Sequence, residues 1–184
     1  MAFTLMNVAL LSAGIARADT DVLSFDDPGM HFRPPDGWIR VIINRSPDAD
    51  PHGPEIVAAY VNNANKMDPR QIVITVEPWD GDLNAFEASH ESDLRNQGKE
   101  QSTFVDKKEL TKLSNGMPAF FMRVNQGNSA GQFLRSFQYI VIDKQRGIVA
   151  SYQGRAGQFD EKDAKTALAS LYVVVYPKEW KPAR

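Results

Sequence analysis

Apolar and polar residues alternate along most of this chain, and a period of two predicts strands that bury one face. The alternation is strictest in residues 70–79, where Ile72, Ile74 and Val76 are expected to face a core. Residues 55–62 are apolar on both faces, as expected of a strand inside a sheet. Further strands are predicted at residues 20–25, 30–33, 39–44, 103–114, 117–126, 132–143 and 148–155.

Two segments change to the period of 3.6 residues that indicates a helix. Asp82 is the predicted N-cap of a helix over residues 83–97, because its carboxylate can accept hydrogen bonds from the free N–H groups of the first turn. Asp160 is predicted to cap a second helix, and Phe159 is placed to pack near Ala164 as a hydrophobic staple. The predicted apolar faces consist of Leu83, Phe86, His90 and Leu94 in the first helix, and Ala164, Leu168 and Leu171 in the second.

Tight turns, rather than helices, connect most of the predicted strands. The strongest turn signal is Asn115-Gly116, which favours the positive φ angles of a type I′ hairpin. The strands that follow it are expected to form an antiparallel meander. We therefore predict an α+β fold, an antiparallel β-sheet with helices packed on its faces as an α/β/α sandwich, in a single domain over residues 19–176.

The first 18 residues have the features of a signal peptide. An apolar stretch is followed by the small residues Ala16 and Ala18, at the spacing that signal peptidase requires. This predicts a periplasmic or secreted protein, the alternative being an amphipathic helix that stays on the chain. A signal peptide should begin with a basic residue, but the first basic residue here is Arg17. This leaves open whether Met1 is the true start. Residues 177–184 are predicted to form a flexible tail.

Composition excludes several classes of function. The 184 residues are 42% hydrophobic and 24% charged, which fits one globular domain. The formal net charge is −2, with both signs interleaved, so no basic field for nucleic acid is present. Cysteine is absent, which excludes disulfides, thiolate metal sites and cysteine nucleophiles. Beyond the N-terminus, no apolar segment approaches the about 20 residues of a membrane span.

A short motif resembles one known superfamily. Residues 29–38, reading Gly-Met-His-Phe-Arg-Pro-Pro-Asp-Gly-Trp, follow the form GxxFxxPxGW. With the helix after an alternating strand and the meander introduced by Asn115-Gly116, this pattern resembles the PsbP-like superfamily. That group includes the extrinsic oxygen-evolution protein of photosystem II, bacterial DcrB-like proteins and a nuclear-import factor that binds Ran. The resemblance implies the same sheet-and-helix architecture and a protein that binds partners rather than catalyses a reaction; it carries no family-wide active-site residues.

Two motifs suggest chemistry at first sight. Residues 127–131, Gly-Asn-Ser-Ala-Gly, match the GxSxG elbow of hydrolases, which places its serine between a strand and a helix. Here a predicted strand follows, and every histidine precedes Ser129, so the hydrolase interpretation is rejected. Asp48, Asp50 and His52 begin like a calcium loop, but Ala59 occupies the position of the terminal glutamate. A solvated acidic loop is expected there, with a metal site as the alternative.

Three further residues are candidates for binding a ligand or partner. Trp79 and Asp80 lie at the predicted corner between a strand and the first helix, where Trp79 either covers the helix end or forms the rim of a groove. His31 alternates with Met30 and Phe32, so its side chain is expected on the other side of that strand. His90, on an apolar helix face, is expected to be a neutral buried ring.

No catalytic set, cofactor motif or phosphate loop emerges from the sequence. The function we predict is an exported, non-enzymatic domain that binds a protein partner or a small ligand. Two alternatives remain open: a small periplasmic hydrolase or lyase that uses His31 with nearby carboxylates, and an ion-responsive module formed by residues 48–55.

Overall fold

The computed structural model describes residues 23–24, 30–43, 53–62, 70–96, 102–127 and 133–173. Within them lie ten strands, two α-helices (α1 and α2) and a 3-10 turn. In chain order these elements are β1 (Leu23–Ser24), β2 (Met30–Phe32), β3 (Ile39–Arg40), β4 (Glu55–Asn62), β5 (Arg70–Pro78), α1 (Leu83–Asn96), β6 (Ser102–Lys112), β7 (Pro118–Gly127), β8 (Phe133–Asp143), β9 (Arg146–Arg155), the 3-10 turn (Ala156–Gln158), α2 (Glu161–Leu168) and β10 (Tyr172–Val173).

Seven strands form one antiparallel sheet in the order β3-β4-β5-β9-β8-β7-β6. The predicted meander runs through β6, β7, β8 and β9. Strand β5 pairs with β9 and not with β6, so α1 carries the chain from the middle of the sheet to its far edge. A smaller sheet has the order β1-β2-β10. The predicted α+β class, with helices packed on an antiparallel sheet, is confirmed.

Each face of the large sheet carries its own hydrophobic cluster. The α2 cluster lies between the sheet and α2, and it includes Ile72, Ile74 and Leu168. The α1 cluster lies under α1 and is smaller; Phe86 and Leu94 are its buried helix residues. The alternation of β5 therefore predicted its buried face correctly.

No helix among the described residues is long and apolar enough to span a membrane.

The segment that resembled a known family supplies two large anchors to the α2 cluster. Phe32 and Trp38 are buried, and their rings pack on Tyr60 and Tyr152 with centroids 5.5 and 5.7 Å apart. Gly37 between them has φ +83°, a conformation that favours glycine and turns the chain into β3. Burying rings of this size stabilises a fold by about 1.5–3 kcal/mol each.

Both predicted helix caps are present. Asp82 Oδ1 accepts from the Ala85 backbone N–H at 2.8 Å. Asp160 Oδ1 accepts from the N–H groups of Lys162 and Asp163 at 2.8 and 3.0 Å. These bonds satisfy donors that the helix itself leaves free, and they explain why each helix begins where it does.

The predicted type I′ turn at Asn115-Gly116 is wrong in its type, although the hairpin exists. Gly116 alone of the pair has a positive φ, +83°. Its N–H donates to Leu113 O at 2.9 Å, and Leu113 N–H donates to Met117 O at 2.9 Å, so the loop has three residues. A three-residue loop needs only one left-handed position, which glycine adopts at the lowest cost.

The strand predicted over residues 39–44 is shorter than expected. Only Ile39–Arg40 pair with β4, at the sheet edge, while Ile42 and Ile43 are 62% and 38% exposed. Strand β4 has an irregularity between Ile56 and Ala58, in the stretch that Ile42 and Ile43 would face. A bulge disrupts the ladder of hydrogen bonds, so the strand ends although its sequence pattern continues.

Candidate functional site

A group of polar side chains lies on the α1 face of the central strands. Residues directly opposite one another in a sheet project on the same side. Register places Gln71, Gln153 and Ser136 in one row across β5, β9 and β8. The next rows contribute Ser151 with Gln138, and then Thr75. We call these six residues the polar face: Gln71, Thr75, Ser136, Gln138, Ser151 and Gln153.

Contacts with α1 establish which side of the sheet this is. His90 Nε2 lies 2.8 Å from Gln138 Oε1, so Gln138 faces the helix. Met122 and Val124, the β7 partners of Gln138 and Ser136, belong to the α1 cluster. The helix packs mainly on β6, β7 and β8. The polar face thus begins beneath α1 and continues over β9 and β5 beside it.

The opposite side of the same three strands is apolar. Ile72, Ala150, Tyr152 and Phe137 are almost completely buried there. On the polar face Ser136, Gln138 and Gln153 are buried and the other three residues are half-buried. Amide and hydroxyl groups at the centre of a sheet, where hydrocarbon side chains would be more stable, need hydrogen-bonding partners. This contrast marks the polar face as the candidate functional site.

The polar groups are bonded to one another and to neighbouring backbone oxygens. Gln71 Nε2 donates to Gln153 Oε1 at 2.6 Å, and Gln138 Nε2 donates to Ser136 Oγ at 3.3 Å. The hydroxyls of Ser151 and Thr75 donate to the backbone oxygens of Val73 and Val149 at 3.3 and 3.4 Å. Each glutamine amide can make up to four hydrogen bonds, so these contacts leave capacity for a ligand.

The lining of the site is uncharged. Burial lowers the pKa of His90, against the hydrogen bond of Gln138 and the charge of Asp93, so the ring is neutral at pH 7. Burial also raises the pKa of Glu77, with Asp93 as the second cause. Asp93 therefore lies near enough to act on both groups. These two carboxyl groups border one end of the neutral set of amides and hydroxyls, and Arg155, two residues after Gln153 in β9, borders the other.

The histidine and the buried serine of this group are both bonded to Gln138. His90 Nε2 contacts Gln138 Oε1, and Ser136 Oγ accepts from Gln138 Nε2. Among the described residues no group of three His, Cys, Asp or Glu side chains could hold a metal ion.

Trp79 and Asp80, predicted from the sequence, lie on the α1 side of the molecule. The Trp79 ring is half-buried and packs on Phe86 with centroids 5.1 Å apart, and its Nε1 donates to Asp82 O at 3.3 Å. It therefore covers the start of α1. A Cβ atom at Gly81 would be 2.8 Å from Trp79 Nε1, which shows how tightly this corner is packed. Asp80 is exposed.

His31 is not brought together with Trp79. Its backbone pairs with Ser24 and Tyr172 in the small sheet, and its side chain lies outside the described residues. The neighbouring Phe32 belongs to the α2 cluster, whereas Trp79 packs against the α1 cluster on the opposite face of the large sheet. The structure thus places His31 and Trp79, which the sequence analysis proposed as binding candidates, at separate positions.

The remaining candidates lie wholly or partly outside the described residues. They include the possible ion ligands Asp48, Asp50 and His52, together with residues 1–18 and 177–184. Of the GxSxG motif only Gly127 is described, at the end of β7, and the next described element is strand β8. A strand in place of a helix agrees with the rejection of a hydrolase elbow.

Sequence reasoning missed the polar face. Its six residues do alternate with apolar ones in β5, β8 and β9, and this is the signal that could have found them. Alternation alone, however, is equally typical of a strand whose polar side faces solvent. Only the strand order shows that these three segments are neighbours in the middle of the sheet.

A seven-stranded antiparallel sheet, with α1 on one face and α2 on the other, defines the class: the chain has a PsbP-like fold. Among solved structures it is similar to the solution structure of cyanobacterial PsbP (CyanoP) from Synechocystis sp. PCC 6803, with a TM-score of 0.56 and 13% identity. That match covers 90% of this chain and 99% of the other. At this level of identity the similarity establishes the fold alone.

Two other solved structures overlap less well. A protein of unknown function, PA94 from Pseudomonas aeruginosa, has a TM-score of 0.48 and 13% identity, covering 84% of this chain and 88% of its own. LpqN of Mycobacterium tuberculosis, described as involved in cell envelope biogenesis, has a TM-score of 0.45 and 14% identity, covering 78% of each chain. No protein-family model and no curated protein matches the sequence.

Proposed function

We propose that this protein is an exported, non-enzymatic binding module whose polar face takes a neutral ligand rich in hydroxyl or amide groups. One observation carries the proposal. Six hydrogen-bonding side chains occupy the centre of a sheet face whose reverse side is apolar and buried. Burying polar groups there costs stability unless they are hydrogen-bonded, a requirement that hydrocarbon side chains would not have, so we infer that the polar groups serve recognition.

The chemistry of the lining supports a neutral ligand. Glutamine amides and serine or threonine hydroxyls both donate and accept, which matches sugar hydroxyls and peptide amides. The neutral His90 ring adds no charge, and the border carries both signs, the carboxyl groups of Glu77 and Asp93 at one end and Arg155 at the other. Because none of the six residues is a cation, a phosphorylated or carboxylated ligand is a poor match for this site.

The side-chain hydrogen bonds of the polar face support binding, because they form a connected network. His90 to Gln138 and Gln138 to Ser136 form a chain of side-chain hydrogen bonds. Such networks hold side chains in one arrangement and so prepare a surface for recognition. The proposed export rests on residues 1–18, which have the apolar stretch and small-residue spacing of a signal peptide.

A thermal-melting screen tests the binding proposal. Protein lacking residues 1–18 is heated with neutral oligosaccharides, capped neutral peptides and matched anionic sugars. A ligand present at about 100 times its dissociation constant should stabilise the fold by about 2.7 kcal/mol. We expect the neutral compounds to raise the melting temperature and the anionic ones to leave it unchanged.

Variants locate the effect. Thr75→Val removes a hydroxyl from the polar face with little change in volume, and Gln71→Leu removes an amide. Both variants should reduce the increase in melting temperature that a neutral ligand causes. Thr111→Val, a half-buried threonine of the edge strand β6, is the matched control and should keep the shift. The proposal fails if no neutral compound shifts the melting temperature, or if Thr111→Val weakens binding as much as Thr75→Val.

A further inference from the structure

A second group of side chains lies on the opposite face of the sheet, at the end of β6, β7 and β8. Register aligns Phe104, Asn125 and Arg135 in one row across these strands. The adjacent row contains Gly127 and Phe133. These side chains lie on the α2 side. Phe121, four residues before Asn125 in β7, and Phe137, two residues after Arg135 in β8, belong to the α2 cluster. We call Phe104, Asn125, Phe133 and Arg135 the aromatic end.

Two phenylalanine rings are exposed at this end, against the general burial of large apolar residues. Phe104 is 46% exposed and Phe133 is 52% exposed. The Phe133 ring is nevertheless held in place, because it lies over Gly127: a Cβ atom there would be 2.8 Å from Phe133 Cε1. Because Gly127 has no side chain, the Phe133 ring can lie against β7. The ring therefore stays beside the row that contains Arg135.

Arg135 is hydrogen-bonded to a neutral group, and the nearby Asp106 carboxylate acts on it electrostatically without a direct ion pair. Its Nε donates to Asn125 Oδ1 at 2.8 Å, and no carboxylate of the described residues forms an ion pair with it. The neighbouring Asp106 accepts from Arg123 Nε at 2.8 Å, and its carboxylate also interacts with Asn125 and Arg135. With Nε occupied, the two terminal nitrogens of Arg135 remain in the fork geometry that binds a carboxylate through two hydrogen bonds.

Asn125 provides a second donor. The residue is only 4% exposed, and its Nδ2 makes no hydrogen bond of normal geometry within the part of the chain that the structure describes, although the Asp106 carboxylate lies close to it. A buried donor without a partner costs about 1–3 kcal/mol, and native proteins rarely leave one unless a ligand or water completes it. The unpartnered amide thus lies in the same row as the cation and next to the exposed rings.

We propose that the aromatic end binds a small aromatic carboxylate. The carboxylate would accept from the terminal nitrogens of Arg135 and from Asn125 Nδ2, and the aromatic ring would pack against Phe104 and Phe133. Aromatic rings favour edge-to-face or offset contact with one another, which selects an aromatic over an aliphatic acid. This site is separate from the polar face in position, and it prefers an anionic ligand whereas the polar face prefers a neutral one.

The experiment is a titration of the isotope-labelled full chain with 4-phenylbutyrate, followed by NMR. Signals of Arg135 Nε–H and the Asn125 side-chain amide should shift on addition of the acid. The neutral analogue 4-phenylbutyramide should bind at least about tenfold more weakly, because charge-assisted hydrogen bonds are the stronger class. Octanoate and inorganic phosphate, which lack the ring, should also bind more weakly.

Variants complete the test. Arg135→Gln should weaken 4-phenylbutyrate binding by about tenfold or more, and Phe104→Leu should weaken it several-fold. Arg155→Gln removes an exposed arginine at the end of the neighbouring strand β9 and should have no effect, nor should Thr75→Val on the polar face. Dispersed amide signals confirm that each variant is folded. Equal binding of the amide analogue or of phosphate, or an equal loss in Arg155→Gln, would overturn the proposal.

Discussion

The Phe86 ring of α1 lies directly against the backbone of Gly147 in β9. A Cβ atom built at Gly147 would be 2.2 Å from Phe86 Cζ, far inside contact distance. The backbone of Gly147 is not in the left-handed region, so the requirement for glycine is one of space alone. This contact sets how closely α1 approaches the sheet, and therefore how α1 borders the polar face.

Replacing Gly147 by alanine should destabilise the protein by about 1–3 kcal/mol, the usual cost of overpacking a core. Gly154→Ala in the same strand is the control, because its nearest neighbours would be 3.7 and 3.8 Å from the new Cβ atom. Urea denaturation should show a lower midpoint for the first variant only. An unchanged urea midpoint for Gly147→Ala would mean that α1 can shift freely on the sheet.

Tyr152→Phe should lose about 0.5–1.5 kcal/mol of stability, the net value of a hydrogen bond. The Tyr152 hydroxyl donates to Asp163 Oδ2 at 2.6 Å and so fastens α2 to the sheet. Burial, followed by the nearby Asp163 carboxylate, raises the pKa of Tyr152 above its ordinary value of 10.0. This stabilisation is present below about pH 10 and is lost as the pH rises through the folded-state pKa.

Ultraviolet absorption of phenolate measures that ionisation during an alkaline titration. At least one tyrosine of the wild-type protein should resist ionisation until the chain unfolds. If every tyrosine ionised near pH 10 while the protein stayed folded, Tyr152 would not be protected as described.

Glu91→Gln should destabilise the protein at neutral pH by no more than about 1 kcal/mol, as expected of an ion pair close to the surface. Glu91 accepts from Lys108 Nζ at 2.8 Å and from Arg95 Nε at 3.0 Å, and these two partners hold its pKa down at about 2. Because the ordinary value is 4.5, the stabilisation is present above about pH 4.5 and is lost as the pH falls towards about 2.

Urea denaturation between pH 2 and pH 7 compares Glu91→Gln with Glu109→Gln, which removes the exposed pair of Lys107 and Glu109 on β6 alone. The difference in free energy of unfolding between Glu91→Gln and wild type should become smaller as the solution becomes acidic. A difference that does not change with pH would show that Glu91 acts through packing rather than charge.

Gln138→Leu should cost about 1–3 kcal/mol, because it leaves a buried nitrogen of His90 without its partner. It should also lower the pKa of His90 further, since the Gln138 hydrogen bond opposes the effect of burial. In the wild type the folded-state pKa lies below 6.5, so stability is lost as the pH falls from about 6.5 through that lower value. NMR titration of the ring tests this, and a midpoint near 6.5 would contradict it.

Local interactions were the part of the fold most readily predicted from sequence. Asp82 and Asp160 could be recognised as caps because a capping side chain contacts N–H groups only two or three residues away. The buried face of β5 was equally readable from its period of two. The turn at Gly116 was predicted less well, because its type depends on how two strands align and not on the dipeptide alone.

Long-range pairing could not be predicted in this way. Gln71 meets Gln153 across β5 and β9, 82 positions apart in the chain, and the two strands are separated by α1 and three other strands. The aromatic end depends on the same kind of pairing, since Phe104, Asn125 and Arg135 come from three different strands. Neither site has a sequence motif, because its residues are adjacent only in the folded sheet.

By itself the sequence determined the helices and most of the strands of this protein, and which of their residues share a buried face. Those features follow from periodicity and capping, which act within a few residues. The tertiary structure alone decided the order of the strands, and with it the meeting of amides on one face and of arginine with exposed phenylalanines on the other. The physical reason is that side chains from distant segments become neighbours only through the hydrogen-bonded register of the sheet.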